Sequence, residues 1–139
     1  MSYIQWFEEH AAKHQGIVKK LLHQGRSEDE IIDYFDFDNM VKSEPDFCPL
    51  YAENKKCHDM KKLNCYLCAC PNFRFNDNGI RKEGRYLIKS ECNIQNGDTF
   101  GHENVIHQDC SSCSVPHHRA YVKKHFNFEW KEIMSACHP

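Results

Sequence analysis

Nine cysteines stand in a chain of 139 residues, and eight of them fall between positions 48 and 113. These are Cys48, Cys57, Cys65, Cys68, Cys70, Cys92, Cys110 and Cys113; the ninth, Cys137, lies in the tail, and residues 1–47 hold none. Ten histidines accompany them. Thiols at this density must pair as disulfides, bind metal or carry out thiol chemistry. The opening, MSYIQWFEEHAAKHQG, has neither the basic start nor the apolar stretch of a secretory signal. We therefore expect a cytoplasmic chain whose thiols stay reduced, and read the cluster as metal binding. The odd cysteine count also speaks against complete pairing.

The rest of the composition points the same way. Leu, Ile, Val and Phe together number only 29, and the mean hydropathy is -0.75. A small polar chain of this kind is expected to need a covalent or metal staple. No apolar run approaches the ~18–20 residues of a membrane span. The net charge of -2 excludes a broadly basic nucleic-acid binder. It is unevenly spread: residues 1–47 carry five basic and ten acidic side chains, whereas residues 48–139 carry thirteen and ten. Eight thiolates and two divalent ions would make the second part slightly negative as well.

Residues 3–23 place Ile4, Phe7, Ala11, His14, Val18 and Leu21 on one helical face, and Gly25 is a stop signal. Ser27 and Glu30 form a capping box, which predicts a second helix from about residue 28 to Met40 and so an αα-hairpin. Its acidic surface makes it a poor helix-turn-helix reader of phosphates. Residues 48–83 lack periodicity, as expected where metal holds the backbone. Short strands are predicted within 85–95 and 104–107, turns at Asn78-Gly79 and Asn96-Gly97, and a helix over 118–136. The expected fold is small α+β and metal-stapled. A helical hairpin (1–46) would precede an irregular zinc-knuckle domain with short strands (47–122), and a C-terminal helix and tail (123–139) would follow.

Two Cys-x-x-Cys knuckles, Cys65–Cys68 and Cys110–Cys113, have 41 residues between them. Together they would suffice for one tetrahedral zinc. Cys48, Cys57, His58, Cys70, Cys92 and His117 are the candidates for a second site, and interleaved pairing is equally open. Cys70, so close to Cys68, suits either two adjacent ions or an iron–sulfur cluster. Zinc is favoured, since nitrogen and sulfur ligands are both on offer. His58 is read as a ligand, a bridge to a second site or a turn cap, and His117 as a ligand or a hydrogen-bond partner of a thiolate. His102, His107, His118 and His125 are expected at the surface, and Cys137-His138 at a frayed end.

The run Asn64-Cys65-Tyr66-Leu67-Cys68-Ala69-Cys70-Pro71, with Asp109-Cys110-Ser111-Ser112-Cys113-Ser114-Val115-Pro116-His117, resembles the bacterial and archaeal cysteine-rich small domain family. Cys57-His58, Cys48 and Cys92 match its other cysteine positions. The resemblance covers roughly residues 48–121 and implies metal binding, with some members found alongside cobalamin-salvage functions.

Hydrolase, phosphate-loop and metalloprotease signatures are missing from the sequence, and the deaminase order of Pro and Cys is not matched. The leading expectation is two structural zinc sites supporting a module that binds a protein partner. The alternatives are a 4Fe–4S redox protein, a metal-handling protein, and a zinc-dependent nucleic-acid binder. The last would use Arg74, Arg81, Lys82, Arg85, Lys89, Arg119, Lys123 and Lys124, although a solvated basic face offsetting thiolate charge is the favoured account of these residues.

Overall fold

The computed structural model describes residues 2–139 and is a small α+β fold. Helix α1 spans Tyr3–His23, as the periodicity predicts. The Ser2 hydroxyl accepts from Gln5 N, and the Asp77 carboxylate accepts from Tyr3 N (3.1 Å) and Ile4 N (3.0 Å). A distant acidic side chain thus satisfies the free amides and positive end of this helix. At the other end Gly25 sits at φ 77°, Gly25 N donates to Leu22 O, and Arg26 N donates to Leu21 O. This is a Schellman stop, which needs a residue tolerant of positive φ.

The predicted second helix begins at its capping box but breaks in two: α2 is Glu28–Tyr34 and α3 is Phe37–Ser43. The interruption comes from the segment around Asn64. Cys65 N donates to Phe35 O, Phe37 N donates to Leu63 O, and the Asn64 amide reaches both Ile32 O and Asp36 Oδ1. The chain from 63 to 65 takes up carbonyl and amide groups that a continuous helix would have used itself.

A 3₁₀ turn, Pro49–Glu53, leads into the irregular middle. Two small sheets follow. Strand β1 (Phe73–Phe75) pairs antiparallel with β4 (Ser90–Cys92). The other sheet runs β2-β3-β6-β5, from Arg81–Glu83, Tyr86–Ile88, Val105–Asp109 and Asp98–His102. Its β3–β6 pairing is parallel and the rest antiparallel. The β5–β6 hairpin turns at Glu103 and Asn104, both at positive φ (50° and 65°). This double left-handed geometry matches strand twist but usually carries a glycine, so the hairpin leaves little trace in the sequence. The predicted C-terminal helix also divides, into α4 (Arg119–Lys124) and α5 (Trp130–Ile133). Between them Asn127 O accepts from Tyr66 Oη (2.6 Å), and its side chain accepts from Glu129 N.

The hydrophobic core is larger than the composition suggests, because aromatic rings and histidines supply its bulk. Phe7, Val18, Leu21, Ile31, Ile32, Phe35, Met40, Tyr66, Leu67, Val122, Trp130 and Met134 form one buried cluster that includes Cys65 and Cys137. It draws on the helical segment, the cysteine-rich segment and the tail together. Two expectations change. The middle of the chain is not held by ligation alone, since Leu63–Leu67 runs through the apolar interior. The tail is not frayed: Cys137 is buried, Phe75 N donates to its carbonyl (2.9 Å), and its thiol faces Cys70 O (3.4 Å). No helix among the described residues is long and apolar enough to cross a membrane.

The uneven charge has a structural outlet. On α4, Lys123 pairs with Glu28 and Asp29, and Arg119 with Asp33 and Asp29, joining the basic end of the chain to acidic α2. Arg81 is paired with Glu91 and Glu83. Exposed pairs of this kind contribute little stability each, but they remove three residues from any free basic face.

Trp130 packs against Phe7 with the rings tilted (4.8 Å between centres) and meets His10 edge-on (5.1 Å). Trp130→Ala is expected to lower unfolding stability in urea by about 3–5 kcal/mol. A loss under 1 kcal/mol would contradict the role given to the tail.

His10 and His14, one turn apart on α1, lie among Trp6, Phe35, Phe47, Tyr66 and Trp130. Nε2 of His14 donates to Tyr66 O (3.0 Å), while Nδ1 of His14 and Nε2 of His10 have no partner. Burial, reinforced by the Lys13 charge, lowers His10 from 6.5 to about 4; burial and His10 lower His14 to about 3. Both rings are neutral when folded, and unfolding frees them to protonate near 6.5. Stability is therefore complete above that pH and falls on acidification toward the folded values, by up to about 1.4 kcal/mol per pH unit for each ring. Unfolding midpoints measured between about pH 7 and pH 4 should show this slope, and His14→Leu should reduce it by about half, the His10 contribution remaining.

Candidate metal centre

The cysteines of 48–113 separate into two neighbouring sets, and the divider is the turn after Cys68. Cys70 N donates to Leu67 O, and Ala69 and Cys70 both take positive φ (84° and 66°). Two successive non-glycine residues in that region are costly. The reversal sends Cys68 back toward Cys65, Cys48 and Cys57, whose charges all bear on it. Cys70 turns the other way, toward Cys92 and Cys113, and Cys110 lies with all three. The two knuckles therefore lie in different sets, Cys65 and Cys68 in the first and Cys110 and Cys113 in the second, which lines one cleft.

The first set contains the tightest donor group among the described residues. The ligand atoms of Cys57, His58 and His117 all lie within 4.8 Å of one another. Cys57 Sγ is 3.0 Å from His58 Nδ1 and 3.7 Å from His117 Nε2. Each ring has its other nitrogen against a backbone carbonyl: His58 Nε2 is 2.9 Å from Cys110 O, and His117 Nδ1 is 2.9 Å from Asn64 O. A ring nitrogen facing a carbonyl must carry the proton, so the inner nitrogens present lone pairs beside the sulfur. Imidazoles that ligate metals are oriented in this way. Burial keeps His117 below the usual histidine range, which favours the neutral, ligating form.

Asn64 is the residue that spacing alone did not single out. It is buried, its amide N donates to His117 O, its carbonyl accepts from the His117 ring, and its side chain accepts from Tyr66 N. An Asn directly before a Cys-x-x-Cys turn is a local signal for such a side-chain turn. Tyr51 was missed as well. Its hydroxyl is buried without a hydrogen-bond partner, close to the Cys65 thiol.

Although Cys57 as a residue is exposed, partial desolvation of its sulfur, with Cys65 and Cys48 nearby, pushes the thiol up to about 11. Burial, with Cys70, Cys113 and Cys92 nearby, does the same to Cys110. Cys65 is held lower chiefly by a hydrogen bond from Cys68, with help from Tyr51, and Cys68 is raised by the same bond and by burial. Crowded thiols resist ionisation because each thiolate repels the next, and a bound cation reverses that balance. Outside both sets, His102, His118 and His125 are exposed, as expected, whereas His107 is half-buried against Phe100 (5.1 Å).

No family model matches the chain, and no curated protein or solved structure matches it significantly.

Accessibility orders the thiols: Cys57 is exposed, Cys65 and Cys137 are buried, and the rest are intermediate. In the presence of a chelator, alkylation followed by peptide mass mapping should modify Cys57 early, and Cys65 and Cys137 only on unfolding. Early modification of Cys137 would contradict its packing against Cys70.

Proposed function

We propose that this chain is a metal-binding protein with two adjacent cysteine-rich centres, in which the ions are structural. The observation that carries the reading is the convergence of the Cys57 sulfur with two imidazoles, each fixed by a backbone carbonyl. Its mixed sulfur and nitrogen donors suit zinc, with Cys48, Cys65 and Cys68 the neighbouring thiols able to complete the shell. Cys70, Cys92, Cys110 and Cys113 form the second centre, all thiolate. The resemblance of the Cys65–Pro71 and Cys110–His117 motifs to the cysteine-rich small domain family supports the same reading.

On this proposal ligation joins parts of the chain that few other contacts connect. Cys57-His58 lies in a loop with little regular structure, Cys92 ends β4 of the two-stranded sheet, and Cys110 and Cys113 follow β6 of the four-stranded one. Ions would fasten these parts to the Asn64–Cys70 run, whose first four residues are buried. The partner surface of such a module would include Tyr86, Ile94 and Phe100, which stand exposed at or beside the four-stranded sheet.

The test is metal analysis of native protein, with circular dichroism before and after chelation. Zinc should be present at the first centre, and its removal should abolish most of the near-UV signal. His117→Ala should weaken zinc binding by about 10-fold or more in competition with a chromophoric chelator. Metal-free protein with an unchanged tertiary signal would overturn the proposal.

A further inference from the structure

The second thiol set differs from the first in having room between its members. Cys70, Cys92, Cys110 and Cys113 all line one cleft of about 280 Å3, with Phe73, Ile94 and Val115 among its apolar walls. Cys65 lies within the hydrophobic core instead, and Cys48 and Cys68 pack against it. A single zinc holds four thiolates about 2.3 Å from its centre, which brings their sulfurs to within roughly 4 Å of one another. Among the described residues no three sulfurs of either set come within 4.8 Å of each other, so the cleft is what distinguishes the second set.

We infer that Cys70, Cys92, Cys110 and Cys113 form the site of an iron–sulfur cluster and not of a second zinc ion. The inference rests on the proposal that these cysteines bind metal. A cluster interposes a block of iron and sulfide between its four thiolates, so it needs both a wider ring of sulfurs and a cavity. The donors are soft and uniform, as such clusters require. His58 and His117 also reach the cleft wall, but their free nitrogens are turned to Cys57.

The surroundings supply the hydrogen bonds that tune cluster sulfurs. Asn96 Nδ2 donates to Cys113 Sγ (3.0 Å), and Asn96 is held in place by Gln108 Nε2 donating to its backbone carbonyl (2.7 Å). Gly97, next in sequence, has φ 75°, and a Cβ there would meet Asp109 O at 2.7 Å. The tight approach of this loop to β6 places Asn96 over the thiol.

The experiment is anaerobic purification of the full chain from cells supplied with iron and zinc. The expected product is brown, with broad visible absorbance that bleaches with dithionite, acid-labile sulfide matching its iron, and zinc besides. Cys92→Ser should lose the iron and colour while keeping the zinc. His117→Ala should keep the colour. Asn96→Ala, which retains every thiol, should bind the cluster with a more negative reduction potential. Colourless protein carrying zinc at both centres would overturn this inference and leave the metal-binding proposal standing. Protein binding neither metal would overturn both. A reduction potential unmoved by Asn96→Ala would overturn the placement of the cluster against Cys113.

Discussion

The arrangement depends on one short run, Leu63–Leu67, pinned by backbone hydrogen bonds on two sides. Phe37 N and Cys65 N tie it to the break between α2 and α3, and Asn64 N ties it to His117. Burial adds to this, since Tyr66 and Leu67 are fully enclosed. A buried peptide group without a partner costs about 1–3 kcal/mol, so this pattern of bonds leaves the run little freedom to shift. The candidate metal centre takes its geometry from it. Asn64 O orients the His117 ring, Cys65 and Cys68 take their positions from the knuckle that follows, and Cys70 is thrown to the far side by the left-handed turn.

This makes core and site continuous. In many small metal-rich domains ligation substitutes for a hydrophobic interior. Here the same stretch of chain belongs to both. The aromatic cluster around His10 and His14 supports one side of the run, and the thiols and imidazoles lie on the other. The two buried histidines on α1 lie outside the donor group of Cys57, His58 and His117. They fill space as flat neutral rings, at the cost of two nitrogens without partners.

Much of this was legible in the residues, and the limits have physical causes. Helix α1 and its Gly25 stop, the Ser27 capping box, and the strands near 86–92 and 105–109 were readable because each rests on a local pattern. The division of the second helix was not, because the competing hydrogen bonds come from residues about thirty positions away. The β5–β6 hairpin was hidden by Glu103 occupying a conformation that glycine usually takes. The ten candidate donors were visible as residue types, but spacing could not say that Cys68 and Cys70 face different ways; that depends on the φ angles of Ala69 and Cys70. Cys137 looked like a loose end because a short tail gives no sign of the strand it will cover. The cysteine arithmetic also led us to underrate the core, since the hydropathy average counts His10 and His14 as polar although both are enclosed.

The ring of Phe75 touches both extremities of the described chain: Tyr3 at 4.4 Å between ring centres and His138 at 4.9 Å. The polypeptide thus closes almost into a loop, with its two ends a side chain apart on β1. A linker of a few residues would suffice to join them, and the ring so formed could be reopened at the exposed Glu103-Asn104 tip without cutting the helices or the knuckles. Anything fused to one end emerges beside the other, at the rim of the cleft that Tyr3 helps to wall, so the choice of terminus for a fusion matters less here than the bulk of what is attached.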